Sequence, residues 1–362
     1  MKPKIIAYYL PQYHPIKEND EWWGEGFTEW TNVAKAKPLF HGHHQPNIPA
    51  NLGFYDLRLP ETRMAQATMA KQAGIYGFCY WHYWFGDGKE LLEKPLQAVV
   101  ESGKPDFPFC IGWANETWYA KVWNKEGKKN GKILIEQKYL GVEDMIKHFM
   151  SILPIIKDKR YIKIEKRPVF VIYRPLDIKD FTLLKETWNQ MIKEYGIADS
   201  FYFIAYSISD NDNISIRQKG FDGINMVRNG AYRWNRNCAK ANWLRILIYK
   251  LFNYPLRLKY STMIKYFVGE EEKKPNVFPT IIPNWDHTPR SGRKGTVFEG
   301  ITSKLFKKHI QSVFDIVKNK PYEQQFVFLK SWNEWGEGNY MEPDLRNGTM
   351  FIDTLKEAIE KC

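Results

Sequence analysis

Gln325-Phe-Val-Phe-Leu-Lys-Ser-Trp-Asn-Glu-Trp-Gly-Glu-Gly-Asn-Tyr-Met-Glu-Pro-Asp344 is an apolar run that breaks into a glycine-rich turn. Its first five residues read as a short buried β-strand, and nothing after them favours a helix. Gly336, Gly338 and Pro343 punctuate the segment and its tryptophans lack a helical period. Two carboxylates, Glu334 and Glu337, stand three residues apart among Trp332, Trp335 and Tyr340. Acids and aromatics at the tip of a strand suggest a sugar site. Carboxylates move protons at a glycosidic oxygen or a sugar hydroxyl, and indole faces stack on the apolar faces of pyranose rings. A solvated polar loop is the plainer alternative.

Working outward, seven further β-rich runs precede this one: Lys4–Leu10, Tyr76–Trp84, Phe107–Asn115, Pro168–Arg174, Phe201–Ile208, Gly223–Met226 and Phe278–Asp286. Helical patterns over Pro60–Gly74, Glu90–Ser102, Val142–Lys157, Phe181–Tyr195, Glu299–Lys318 and Phe351–Glu360 alternate with them. Eight strands alternating with helices predict an α/β fold of the (β/α)8 TIM-barrel type, a single domain with long βα loops. No GxGxxG follows the first strand, which argues against a dinucleotide-binding sheet. Active sites of such barrels lie at the C-terminal ends of the strands. Those ends carry Gln12, Tyr13 and His14, then His82, Tyr83 and Trp84, then Trp113, Asn115, Glu116 and Arg174. The later strands add Trp285, Asp286 and His287, then Trp332, Asn333 and Glu334. The strand starts are mostly Lys, Phe, Pro and Gly. The candidate substrate-binding set is Tyr8, Trp30, His82, Trp113, Asn115, Glu116, Trp285, Asp286, Trp332, Asn333 and Tyr340, with Glu334 and Glu337 as catalytic candidates.

Aromatics form 16% of the 362 residues, more than a core needs, which suggests an aromatic-lined groove. A net charge of +12 favours anionic partners. No helix-turn-helix, zinc-finger, RRM or OB pattern accompanies it, so nucleic acid is not expected. Cys79, Cys110, Cys238 and Cys362 lack CxxC spacing, which indicates neither zinc nor a disulfide framework. His41, His43 and His44 sit in a turn-like loop and read as loop residues before metal ligands. Asp210-Asn-Asp212 has the D-x-D form used by metal-dependent sugar-nucleotide transferases, and equally the form of an acidic turn. No cofactor or metal is expected. Met1-Lys-Pro-Lys-Ile-Ile-Ala-Tyr-Tyr enters a strand at once, without a signal-peptide core, and no apolar run reaches the ~18 residues of a membrane span, so a cytoplasmic location is expected.

A basic excursion lies at residues 231–275. Its Ala231–Val268 portion has eight Lys or Arg and no Asp or Glu. Trp243, Leu244, Leu247, Ile248 and Leu251 fall on one helical stripe flanked by Arg245 and Lys250. The stripe either packs on the barrel or forms an interfacial helix on an anionic membrane, peripheral at the inner face.

Long ordered blocks resemble the WbsX family of polysaccharide-biosynthesis proteins, labelled glycosyltransferases. They are Tyr8–Val33, His43–Glu61, Tyr76–Leu96, Pro105–Trp118 and Trp332–Asp344. The string N-E-W-x-E-G-x-x-x-E-P, Asn333 to Pro343, is similar to that of glycoside hydrolase family 99, the endo-α-mannosidases and endomannanases. The resemblance implies a barrel catalytic domain over residues 1–362 and metal-independent, retaining, endo-acting chemistry. The substrate would be a bacterial surface polysaccharide or its lipid-linked precursor. It further implies Glu334 as the base that takes a proton from the sugar 2-hydroxyl, and Glu337 as the acid/base at the leaving oxygen. Gly336 stands where the mannosidases have His, and Trp332 where they have Phe. The Tyr119–Asn124 stretch is less Arg-rich than the WbsX pattern. A sugar-nucleotide-dependent transferase of O-antigen or capsule biosynthesis and a non-catalytic glycan-binding barrel are the rival expectations.

Overall fold

The computed structural model describes residues 2–120 and 131–361, so Cys362 and residues 121–124 of the Tyr119–Asn124 stretch lie outside the described residues. Eight parallel strands close a barrel: β1 (Lys4–Tyr9), β2 (Gly77–Trp84), β3 (Phe109–Trp113), β4 (Arg167–Ile172), β5 (Tyr202–Ser207), β6 (Gly223–Met226), β7 and β8 (Phe326–Leu329). β7 is two short pieces, Val277–Phe278 and Thr280–Ile281, divided by Pro279. The first pairs with β6 and the second with β8, so this one broken strand completes the circuit back to β1. Proline has no N–H to give a ladder, and the strand changes partner there. Its carbonyl still accepts from Phe328 N at 2.9 Å.

Helices Pro60–Gln72, Val142–Ile156, Phe181–Glu194 and Met350–Glu360 match the expected patterns, while the one expected from Glu299 begins at Ser303 because Thr296–Glu299 is a strand. The expected helix at Glu90 begins instead at Lys94. Glu90–Leu91 pairs antiparallel with Trp84 and Tyr83 at the end of β2, and Leu92 has φ +61°, which no helix accommodates.

With helices outside and side chains inside, both faces of each strand are buried, so the strands read as continuous apolar or aromatic runs. The two faces can be told apart by what crosses the barrel. Tyr8 Oη donates to Asn225 Oδ1 at 2.8 Å, from β1 to β6, strands that are not neighbours, so this bond runs through the interior. The Tyr8 ring stacks on Trp81 at 4.6 Å with its edge toward Tyr206. Gly112 has no Cβ there; one would meet Trp81 at 3.1 Å. Together these rings plug the barrel. Tyr9, one residue on, points outward and donates to Gln66 Oε1.

The basic excursion follows β6, on the same end of the barrel as the Glu334 turn. It carries helices Arg236–Ala241 and Trp243–Phe252 and the strand Leu256–Lys259, which pairs with Thr296–Glu299. Leu256, Leu258, Tyr260, Met263, Phe267 and Phe298 make its own small core. The stripe at Trp243, Leu247 and Leu251 is exposed and does not pack on the barrel; Ile246 and Tyr249 on the other side of the helix pack on the excursion's small core. Among the described residues, no helix is long and apolar enough to cross a membrane.

Candidate active site

Beyond β8 the chain makes a two-residue pairing, Asn333–Glu334 against Asn339–Tyr340, around a tight turn over Trp335–Glu337. Asn333 fixes this turn to the end of β1: its Oδ1 accepts from Leu10 N and its Nδ2 donates to Leu10 O. Asp286 N donates to Glu337 O at 2.7 Å and ties the turn to the loop after β7. The two carboxylates are thereby held at the C-terminal mouth of the barrel.

One guanidinium organises them. Arg290 Nη1 donates to Glu334 Oε1 at 2.8 Å and to Glu337 Oε1 at 2.7 Å, while its Nε donates to Glu29 Oε1 at 2.7 Å. Arg290 lies on the short helix Thr288–Ser291 and Glu29 on the helix Glu29–Lys35 of the long first loop. His287 Nε2 is 3.3 Å from Glu337 Oε1, and Lys330 Nζ is 3.9 Å from Glu334 Oε2. Gly336 makes the arrangement possible. An ideal Cβ placed on it would sit 1.7 Å from Glu29 Oε1 and 3.0 Å from Arg290 Nε.

The charges split the pair in a direction opposite to the expected one. Burial pushes the Glu334 carboxyl above the usual carboxylate range, and the Glu337 charge adds to this against Arg290 and Lys330. Burial also opposes ionisation at Glu337, but Arg290 and the His287 bond outweigh it and hold that carboxyl well below the usual range. Burial likewise works against the charge of Arg290, and its three glutamates keep it protonated.

The sequence-picked residues divide by strand face. Trp285 lies at the carboxylates: Lys330 Nζ is 5.5 Å from its ring centre and the His287 ring stacks on it. Glu116 pairs with Arg174 at 3.2 Å and its charge is felt at Tyr173 and Tyr206. Tyr8 belongs to the plug. His82 and Trp113 point into the outer helical shell. His82 Nε2 is 2.8 Å from His148 Nε2 with Glu90 on its other nitrogen, and Trp113 packs edge-on to His148 while donating to Trp84 O. Asn115 clamps Arg174 by backbone bonds in both directions. Asp286 accepts from His43, Gln45 and both N and Oγ1 of Thr288; these bonds hold its carboxyl below the usual range although burial opposes it. Trp30, Trp332 and Tyr340 pack behind the turn: Trp30 on Tyr13 and Trp335, Trp332 on Phe78, and Tyr340 stacked on Trp335 at 3.8 Å.

Arg290, Glu29 and Tyr206 were not singled out by the sequence. Tyr206 is on the inward face of β5, where the charges of Glu337 and Glu334 reach it. Asp210 of the D-x-D accepts from two nitrogens of Arg228, which also binds Glu272, so it is engaged in an ion cluster. Among the described residues no three His, Cys, Asp or Glu side chains converge in a metal-ligand arrangement.

The fold is that of glycoside hydrolase family 99 and its relatives. An endo-alpha-mannosidase of that family from Bacteroides thetaiotaomicron superposes with a TM-score of 0.54 at 16% identity, over 99% of this chain and 97% of that one. A glycoside hydrolase-like protein does so with a TM-score of 0.58 at 13% identity, over 99% and 94%. The chain belongs to the WbsX glycosyltransferase family, whose model matches residues 5–355. It is also 31% identical over 362 residues to an uncharacterized protein, WxcX, of Xanthomonas campestris pv. campestris, with the same identity to the copy in a second strain. The alignments cover 99% of this chain, which spans about half the length of those curated relatives.

Proposed function

We propose that this chain is a carbohydrate-active catalytic domain that cleaves or transfers glycosidic bonds of a bacterial surface polysaccharide or its lipid-linked precursor. Glu334 and Glu337 are its working pair. The observation that carries this is the shared Arg290 nitrogen. Glu334 Oε1 and Glu337 Oε1 lie 2.8 and 2.7 Å from one atom. That caps the separation of these oxygens at about 5.5 Å, within reach of retaining chemistry and short of the ~6.5–9.5 Å that inverting enzymes need. Family membership and the barrel support the substrate class; endo action rests on the resemblance to the mannosidases.

The resemblance makes Glu334 the base and Glu337 the acid. The charges in the site lean the other way, raising the Glu334 carboxyl and lowering that of Glu337. Gln at either position should reduce turnover by about two to four orders of magnitude, the worth of a general acid or base, with substrate binding largely kept. A glycoside with a good leaving group needs little protonation and rescues only the acid's variant. Rescue of Glu337→Gln supports the family assignment, and rescue of Glu334→Gln the reversed one. If both variants keep more than about a tenth of wild-type turnover, the two-carboxylate mechanism fails. If a chelator or Asp210→Asn abolishes turnover instead, the metal-dependent transferase replaces it. Glycan affinity without turnover in the wild type would leave a binding barrel.

A further inference from the structure

Helix Trp243–Phe252 has no buried residue. One side is anchored: Ile246 and Tyr249 pack on the excursion's small core, and Arg245 donates to Arg257 O and Glu299 Oε2. The other side carries Trp243, Leu244, Leu247, Ile248, Leu251 and Phe252, each between 40% and 69% exposed. These positions repeat at i, i+1, i+4, i+5, i+8 and i+9, so they form one continuous apolar face about 15 Å long. A face of this kind on a globular protein marks an interaction surface.

The charge around it selects the partner. Arg236, Lys240 and Lys250 are exposed and make no ion pair among the described residues. Ala231–Val268 has no acidic residue to offset them. A two-fold contact with a second copy would set these cations against themselves, because a symmetric interface presents the same patch from both sides. A negatively charged bilayer leaflet accepts both features at once, the apolar face among the acyl chains and the lysines at the headgroups. We infer that helix Trp243–Phe252 is a monotopic membrane anchor that seats the chain on an anionic lipid surface.

Its position gives this a consequence for the site. The strand Leu256–Lys259 that follows the helix pairs with Thr296–Glu299, and the loop between Asp286 and that strand carries Arg290. The anchor is thus tied through one strand pair to the segment that bears Arg290, and on the proposed reading of the site docking would bring a lipid-linked glycan to the same membrane surface as the chain.

The test is co-sedimentation of the chain with vesicles of phosphatidylcholine, with and without about one third phosphatidylglycerol. The inference expects binding to the anionic vesicles at least about tenfold stronger than to the neutral ones, and weakened as salt rises from about 0.1 to 0.5 M. Leu247→Glu/Leu251→Glu should reduce it at least about tenfold, and Lys240→Glu/Lys250→Glu should remove the preference for anionic lipid. All four side chains are exposed, so an unchanged thermal melt confirms that folding is intact. Glu334→Gln should bind vesicles like the wild type, which separates failure here from failure of the catalytic reading. No vesicle binding, equal binding to neutral lipid, or full binding by the Leu247→Glu/Leu251→Glu variant overturns the inference. So does a dimer in light scattering that this variant disperses, which would assign the face to a second copy.

Discussion

Arg290 holds three glutamates with one guanidinium, so its loss acts on charge before it acts on shape. Arg290→Met removes the group that lowers both Glu337 and Glu334, and both carboxyls should then titrate at higher pH. The acid limb of the pH–activity profile should move upward, which a rate series across pH measures directly. Stability should follow the same sign. Carboxyls raised in the fold bind more protons there than in the unfolded chain, so the variant is least compromised in acid and loses stability as pH rises. At neutral pH, breaking a buried ion cluster from one side costs about 3–5 kcal/mol, visible in denaturant melts. Gly336 belongs to the same unit. Gly336→Ala drives a methyl into the Glu29 carboxylate and should cost about 1–3 kcal/mol, as overpacked sites do. In a Glu29→Ala background the 1.7 Å collision is relieved and only the 3.0 Å approach to Arg290 Nε remains, so a double-mutant cycle should return a coupling energy of about 0.5–3 kcal/mol. Glu29 and Arg290 occupy the space that a side chain at position 336 would take.

Among the elements, the turn after β8 depends on a carboxylate that faces away from the mouth. Glu342 accepts from Trp335 Nε1, Gln66 Nε2 and Tyr55 Oη at 2.7, 2.7 and 2.9 Å. Burial nevertheless pushes its carboxyl up to about 7, from an ordinary value of 4.5. A group raised in the fold contributes stability that is complete below its unfolded value and is lost as pH climbs through the folded one. Melting temperature should therefore carry a component that falls between about pH 4.5 and pH 7, worth about 1–3 kcal/mol. Glu342→Gln should flatten that component while destabilising the turn at low pH, because an amide cannot accept from all three donors. Strand faces explain what the sequence could and could not show at this scale. The aromatic run of β2 marks a strand plainly, but in a parallel barrel both faces are buried and the run does not say which side is which. His82 and Trp84 turn to the shell and Tyr83 to the inside, where the charges of Glu334 and Arg290 reach it. The carboxylates were legible because glycines and aromatics frame them in one continuous stretch. Glu29 and Arg290 were not, since only the closed barrel brings residues 29, 290 and 334 together.

For the molecule as a whole, the alternation of eight apolar runs with helices was enough to read the barrel, and even the shortest run, Gly223–Met226, is a strand. The seventh was legible only as one long run, because its change of partner at Pro279 depends on where the first and last strands meet. The plug beneath the mouth gives a prediction of its own. Tyr8→Phe leaves Asn225 Oδ1 without its donor and should cost about 1–3 kcal/mol in unfolding experiments. A Tyr8 that serves packing leaves KM for a glycan unchanged, whereas one that touches substrate raises it. The plug also decides traffic. With Tyr8, Trp81 and Tyr206 closing the axis, the barrel has a single doorway, and a polymer cannot be threaded through it like rope through a ring. Under the proposed function a long glycan would instead lie as a chord over the rim, with both of its ends outside while the middle is worked on. On that reading, once one piece were cut loose the other would still bar the doorway, and the order in which the two depart would become the choice between water and another sugar as the next arrival.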